Sequence, residues 1–115
     1  MNERLRKIAA RFYEAPSGRR PVREWLLDLS ADDRRLVGRD IQKVEFGWPL
    51  GMPYCRPVGH GLWEVRSDLT GGRIARVIFF IKEGEMVLLH AFEKKTQKTP
   101  GHEIDTALKR KREVQ

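Results

Sequence analysis

The sequence predicts one α+β domain over residues 1–115, in which a small antiparallel or mixed sheet carries an N-terminal helical hairpin on one face. Three observations predict it. A chain of 115 residues has the usual length of a single domain. Two segments in its first half have the apolar spacing of amphipathic helices. Three extended apolar segments, joined by short turns, follow over residues 62–93.

The first half of the chain predicts a strand followed by two helices. Apolar residues alternate with polar ones over residues 7–13, which is typical of a strand. Pro21 is suited to the first turn of a helix, and Ser30 to the N-cap of a second helix that ends near Gly47. The two segments form either a hairpin or one helix kinked at Ser30. Their apolar stripes comprise Val22, Trp25, Leu26 and Leu29 in the first segment and Val37, Ile41 and Val44 in the second.

The second half predicts three strands and a short helix. Residues 48–61 are rich in proline and glycine and predict a loop. Strands are then expected over residues 62–67, 73–82 and 85–93, and the second of these, the most apolar, should lie at the centre of the sheet. Glu83 and Gly84 suit a two-residue hairpin turn. Thr99 and Pro100 are typical of the start of a final helix. We expect all the predicted helices to lie on one face of the sheet.

The composition favours a polyanionic partner. Lysine and arginine number 23 against 16 aspartates and glutamates, so the formal charge is +7 and the pI is about 10.0. Such a surplus usually indicates nucleic acid, although solubility alone is the alternative. The single cysteine, Cys55, cannot form an internal disulfide, which fits a reducing cytosol. The charged N-terminus and the short apolar segments predict a soluble, cytoplasmic protein without a membrane span.

Cations recur along the second half of the chain. Arg66 ends a strand, where it is either a forked donor for phosphate or a surface partner of Glu64 or Asp68. Arg76 lies within an apolar strand, so it forms an ion pair or contacts a phosphate. Arg73 is out of phase with Arg76, and one face of the sheet therefore collects only part of the cations. Lys94, Lys95 and Lys98 follow the last strand.

The spacing of histidines does not predict a metal site. His60, His90 and His102 lie far apart, without the spacing of ligands. RNA can still be cut by its own 2′-hydroxyl when that oxygen is aligned with the phosphate and cations stabilise the developing charge. The general base would be a lysine whose pKa neighbouring cations lower, or His90, although a lone histidine in an apolar strand is more often a core residue. Arginine cannot serve, because it does not deprotonate.

Three segments resemble the RelE/HigB superfamily of toxins. They read GLWEVRSDLTGGRIARVIFF, LLHAFEKKTQKTP and EIDTALKR, and the resemblance is strongest to the phage-derived, HigB-like branch. It extends over nearly the whole chain, from FYEAPSGRRPVREWL to the final helix. The resemblance implies a RelE-like fold and a ribosome-dependent mRNA interferase that needs no metal or other cofactor. It also implies neutralisation by a small antitoxin, usually a helix-turn-helix protein, in a toxin–antitoxin hetero-oligomer.

The resemblance also implies a set of site residues. Arg66 matches a phosphate-stabilising arginine of such toxins, Lys95 best matches the catalytic cation, and Gln97 matches a polar site residue. RelE-type toxins place a tyrosine near the chain end; this chain has none there, and His102 could partly replace it. The general base stays open between a lysine and a histidine. The expected catalytic groups are Arg66, Lys95, Lys94 and His90, and the expected RNA contacts are Arg73, Arg76, Gln97, Lys98 and His102.

Two other functions remain open on the sequence. A ParE-like relative would share the fold but bind gyrase and cleave no RNA. The pattern of Arg66 with Lys94 and Lys95 argues against it. A plain nucleic-acid-binding module would also explain the charge of +7, but no ladder of aromatic residues supports it.

Overall fold

A computed structural model of the protein describes residues 6–49, 54–94 and 98–114. Over these residues the chain forms a five-stranded sheet and three α-helices. A short 3₁₀ turn covers Thr70–Gly72. The elements in chain order are β1 (Ala9–Phe12), α1 (Pro21–Leu27), α2 (Ala31–Gly47), β2 (Arg56–Gly59), β3 (Leu62–Asp68), β4 (Ile74–Lys82), β5 (Glu85–Glu93) and α3 (Gly101–Val114).

The sheet is mixed, with the strand order β1-β5-β4-β3-β2. The β1 strand pairs in parallel with β5, and each of the other neighbouring pairs is antiparallel. The β4 strand lies at the centre of the sheet, and its residues 75–80 are buried, as its apolar sequence predicts. Glu83 and Gly84 form the turn to β5 with φ values of 50° and 77°, the positive values that a primed hairpin turn requires. The α+β prediction is therefore confirmed.

Helices α1 and α2 form a hairpin on one face of the sheet rather than a single kinked helix. Pro21 begins α1, and Ser30 is the N-cap of α2, where its Oγ accepts a hydrogen bond of 3.1 Å from the backbone N–H of Asp33. Trp25 of α1 is half-buried against the core. The buried core between the hairpin and the sheet includes Val22, Val37, Ile41, Val44, Val65, Val77, Phe79, Met86, Leu88 and Ala91.

Helix α3 lies on the opposite face of the sheet, so the expectation that all helices share one face is wrong. Ala107 of α3 is fully buried there, and Ile104 and Leu108 pack beside it. The buried sheet residues of this second core are Leu62, Ile78, Phe80, Val87, Leu89 and Phe92. The apolar stripe of α3 must be buried against the sheet. Among the described residues, α1 and α2 already cover the other face, so α3 packs on the face that they leave open.

The β2 strand lies in a segment that the sequence predicts as a loop, and this is a further correction. Arg56 pairs with Glu64 and Pro57 with Trp63. Proline is tolerated here because β2 is an edge strand, whose outer N–H groups have no ladder partner to lose. Two residues turn the chain into β3: His60 has a φ of 58° and Gly61 a φ of 75°.

A β-bulge in β5 sets the faces of its last residues. Ile78 pairs with His90 and Phe79 with Leu88, so that Leu89 has no partner of its own in β4. Leu89 belongs to the core on the α3 face, and His90 contacts side chains of α3. Two consecutive side chains therefore lie on one face, which is the usual effect of a bulge.

Candidate active site

The α3 face of the sheet gathers arginines from three adjacent strands. Arg56 of β2 lies opposite Glu64 of β3, and Arg66 of β3 lies opposite Arg76 of β4. Glu64 and Arg66 share a face because side chains two apart in a strand point the same way. Cross-strand pairing then brings Arg56 and Arg76 to that face as well. We call the group Arg56, Glu64, Arg66, Arg76 and Lys94 the cationic face.

Glu64 is the buried centre of the cationic face. Its side chain is 1% exposed and accepts hydrogen bonds from Arg76, from the Thr99 hydroxyl and, at 3.0 Å, from Arg56 Nε. Arg76 is 3% exposed and also donates a bond of 2.9 Å to the Thr99 Oγ1. Burial lowers the pKa of Arg76, and Glu64 opposes that shift. Of the two alternatives for Arg76, the structure thus contains the ion pair with Glu64.

Arg66 and Lys94 lie at the open side of this group. The Arg66 side chain is 57% exposed, and its Nη2 lies 3.6 Å from Asp68 Oδ1, a surface pair of the kind that contributes little stability. The backbone N–H of Lys94 donates to Ile74 O at 2.7 Å, which fixes Lys94 beside β4. Partial burial lowers the pKa of Lys94, and the charges of Arg76, Arg66 and Arg56 lower it further against the opposing effect of Glu64. Four cations thus surround one buried carboxylate.

Arg73 lies on the other face of the sheet. It pairs with Asp33 of α2 and Glu93 of β5. Asp33 is 2% exposed, and it also accepts bonds of 2.9 Å from the Thr70 N–H and from the Thr70 hydroxyl. The Thr70 backbone bond is the main cause that lowers the pKa of Asp33, and the Arg73 charge adds to it. The structure therefore does not bring Arg73 together with Arg66 and Arg76.

His90 lies under α3 rather than in the open group. Its Nε2 is 2.7 Å from Glu103 Oε1, and Arg110 Nη1 lies 3.2 Å from its Nδ1. Arginine can only donate, so Nδ1 is the acceptor and Nε2 carries the proton that Glu103 accepts. Burial lowers the pKa of His90, which agrees with this neutral form. Both ring nitrogens are engaged, and neither offers a lone pair to a substrate hydroxyl.

Lys98 and His102, two further expected site residues, lie near the N-terminus of α3. Lys95 and Gln97 fall outside the described residues. Lys98 is exposed, and His102 is 78% exposed with its Nε2 3.7 Å from Glu103 Oε2.

Sequence reasoning missed Arg56 and Thr99. Arg56 belongs to the segment taken for a loop, although its two-residue spacing from Val58 is the strand signal that could have placed it. Thr99 resembles a helix cap, but its hydroxyl lies between Glu64 and Arg76 and α3 begins at Gly101.

The described residues contain neither a cluster of metal ligands nor a helix suited to crossing a membrane. Histidine, cysteine, aspartate and glutamate side chains do not form a group of three or more that could hold a metal ion within those ranges. Among the helices described, none combines the length and the apolar character that crossing a membrane requires.

A known protein family matches most of the chain. The profile of the family described as phage derived protein Gp49-like (DUF891) matches residues 24–112. This range includes every residue of the cationic face and most of the three helices. No curated protein matches the chain. On this match the chain belongs to the Gp49-like family of phage-derived proteins, which is a family of RelE/HigB-like toxins.

Proposed function

We propose that this protein is the toxin of a type II toxin–antitoxin pair and that it cleaves message on the ribosome, in the cytoplasm, without a metal ion. The observation that carries the proposal is the excess of cations over carboxylates on the cationic face, where Arg66 and Lys94 lie at its open side. Such a face stabilises the charge that develops on a phosphoryl group in the transition state.

The reaction needs only the substrate's own nucleophile. The ribose 2′-oxygen attacks the adjacent phosphorus, the P–O5′ bond breaks, and a 2′,3′-cyclic phosphate and a 5′-hydroxyl form. A base takes the proton of the 2′-hydroxyl, and the leaving 5′-oxygen gains a proton. In this scheme Arg66 and Lys95 stabilise the phosphoryl oxygens, and the planar fork of Arg66 can donate two parallel bonds to them.

The contacts favour a lysine over His90 as the base. Both ring nitrogens of His90 are engaged by Glu103 and Arg110. The pKa of Lys94 is lowered by partial burial and by three neighbouring arginines, which increases the fraction of neutral amine near neutral pH. Arg76 and Arg56 do not need to contact the RNA; held on Glu64, they supply positive potential beneath it.

Membership of a toxin family implies an antitoxin partner. We infer that a helix-turn-helix antitoxin neutralises this chain in a hetero-oligomer by covering the cationic face with an acidic or mixed surface. Ribosome and message would then compete with the antitoxin for the same cations.

The test is cleavage of message on purified ribosomes, with 5′ ends mapped and the chemistry of the new 3′ ends determined by mass spectrometry. Loss of one electrostatic donor typically slows such a reaction by about 10²–10³. We therefore expect Arg66→Ala and Lys95→Ala to cut at least about 100-fold more slowly while remaining folded and antitoxin-bound. The matched control is Arg23→Ala, an exposed residue of α1 on the opposite face of the sheet.

Cutting by both alanine variants at the wild-type rate would overturn the assignment of these two residues. A wild-type protein that cuts nothing on ribosomes but inhibits gyrase would replace the proposal with the ParE-like function. The same assay tests the base: Lys94→Arg keeps the charge but cannot deprotonate, so it should remove the rise in rate with pH that a lysine base produces.

A further inference from the structure

A groove lies beside the cationic face, between the C-terminal half of α2 and Tyr54. Its lining comprises Arg39, Gln42, Lys43, Phe46, Gly47 and Tyr54. An adjoining smaller hollow is lined by Asp40, Lys43, Tyr54 and Arg66. We propose that the groove binds the single-stranded RNA next to the scissile phosphate, with a base stacked on Tyr54 and the RNA backbone on Arg39 and Lys43. This inference rests on the proposed cleavage function and assigns it a substrate-binding subsite.

Arg66 connects the groove with the cationic face. Its charge acts on Arg76 and Lys94, and its side chain also lines the hollow that contains Lys43 and Tyr54. A strand of RNA whose phosphate is held by Arg66 therefore has a continuous path from the cationic face to α2. An extended nucleic-acid chain needs such a row of contacts, because successive phosphates follow one another at regular intervals.

The geometry at Gly47 brings an aromatic ring to the groove. A Cβ at position 47 would lie 3.3 Å from Tyr54 Cε2, closer than side chains usually approach, so the glycine lets the ring pack against α2. Tyr54 is half-buried and lines both hollows, which leaves part of its ring accessible. Proteins that bind single strands use aromatic rings in this way, since every base has a face that can stack.

The charges of the groove favour an anion. Arg39 and Lys43 are exposed, Arg66 is 57% exposed, and Asp40 is the carboxylate among the lining residues. Lys43 Nζ lies 3.6 Å from Asp40 Oδ1, a surface pair weak enough to yield to a phosphate. Cations with an adjacent aromatic ring match the alternation of phosphate and base in RNA better than they match an acidic protein segment.

The experiment measures binding of a fluorescent oligodeoxyuridylate, which lacks the 2′-hydroxyl and so cannot be cut, by anisotropy over a range of salt. Tyr54→Leu should weaken binding about 10-fold, while Tyr54→Phe keeps the ring and should bind like the wild type. The double variant Arg39→Ala/Lys43→Ala should reduce the slope of log affinity against log salt by about 1.4, which is about 0.7 for each phosphate contact. Asp40→Asn should bind more tightly.

The charge-matched control is Lys109→Ala/Arg112→Ala, which removes two exposed cations of α3 that do not line the groove and should leave the slope unchanged. Groove variants that bind like the wild type would overturn the proposal even if ribosomal cleavage is confirmed. If cleavage fails but the groove variants still weaken binding, the groove stands and the catalytic function falls. Variants that bind the oligonucleotide normally but escape neutralisation would overturn it in favour of an antitoxin contact.

Discussion

The two faces of the sheet surround their arginines in opposite ways. On the hairpin face, Arg73 lies between two carboxylates, Asp33 and Glu93. On the α3 face, one buried carboxylate, Glu64, pairs with both Arg56 and Arg76. Arg66 and Lys94 add further positive charge to that face.

The difference shows that the local balance of charge, rather than the presence of cations, separates an arginine neutralised by carboxylates from one in a region of excess positive charge. Around Arg73 the negative charges outnumber the positive one, and an incoming phosphate would be repelled. Around Glu64 the positive charges are in excess, and partial burial strengthens their field because less water screens it. A total of +7 describes the whole chain but does not distinguish these two regions.

The largest change in stability is expected from the removal of Glu64. Glu64→Ala leaves Arg76 buried without its carboxylate and brings it close to the like charge of Arg56. Breaking a buried pair in this way typically destabilises a protein by about 3–5 kcal/mol, and we expect a loss of this size in denaturant unfolding. A loss below about 1 kcal/mol would show that Arg76 finds another partner, and Glu64 would then not be the centre of the site.

Replacing one arginine of each face by alanine tests the difference between the two faces. Arg73→Ala should lower the free energy of unfolding by about 1–3 kcal/mol, because the buried Asp33 loses its cation while keeping its bonds from Thr70, and cleavage should stay at the wild-type rate. Arg66→Ala, at an exposed position, should change the stability by no more than about 0.5 kcal/mol and yet slow cleavage at least about 100-fold. The check is to measure unfolding and cleavage on both variants; a loss of cleavage in Arg73→Ala would place that residue in the site after all.

The smallest expected effect concerns pH. The folded protein holds His90 neutral with a lowered pKa, so the unfolded chain takes up the proton first as the pH falls through the ordinary histidine value of about 6.5. Stability from this group is therefore present at higher pH and declines towards acid, with a slope of at most about 1.4 kcal/mol per pH unit. His90→Gln can still donate to Glu103 and accept from Arg110, and it should flatten the profile between about pH 7.5 and about pH 5.5. An unchanged profile would mean that His90 has the same pKa in the folded and the unfolded protein.

Much of the fold follows from local signals. Ser30 caps α2 through its own side chain, and the positive φ values of Glu83 and Gly84 belong to the turn that the two-residue spacing predicts. The β2 strand could not be predicted in this way, because it depends on pairing with β3 and its own sequence contains a proline and a glycine. The position of α3 is also a tertiary effect, since an apolar stripe shows that a helix is covered but not by which face of a sheet.

The site was predictable only as far as strand periodicity extends. Periodicity places Arg66 with Arg76 through a cross-strand pair and separates Arg73 from Arg76. It cannot show that Arg56 joins them from an unpredicted strand, or that the Thr99 hydroxyl bonds to Glu64 rather than capping a helix. For His90, an apolar strand indicates burial, but the contacts with Glu103 and Arg110 come from a helix that follows β5 in the chain.

The bulge at Leu89 also decides which face each charge of β5 belongs to. If β5 continued past Leu88 in strict register with β4, His90 and Phe92 would turn towards the hairpin and Glu93 would turn towards Glu64. A second carboxylate would then reduce the excess of positive charge on that face, and Arg73 would keep only Asp33. The net charge of each face therefore depends on the number of residues in β5, because the bulge decides on which face the later side chains lie. A change of one residue in the length of β5 would therefore weaken the proposed anion site without altering any of its cations.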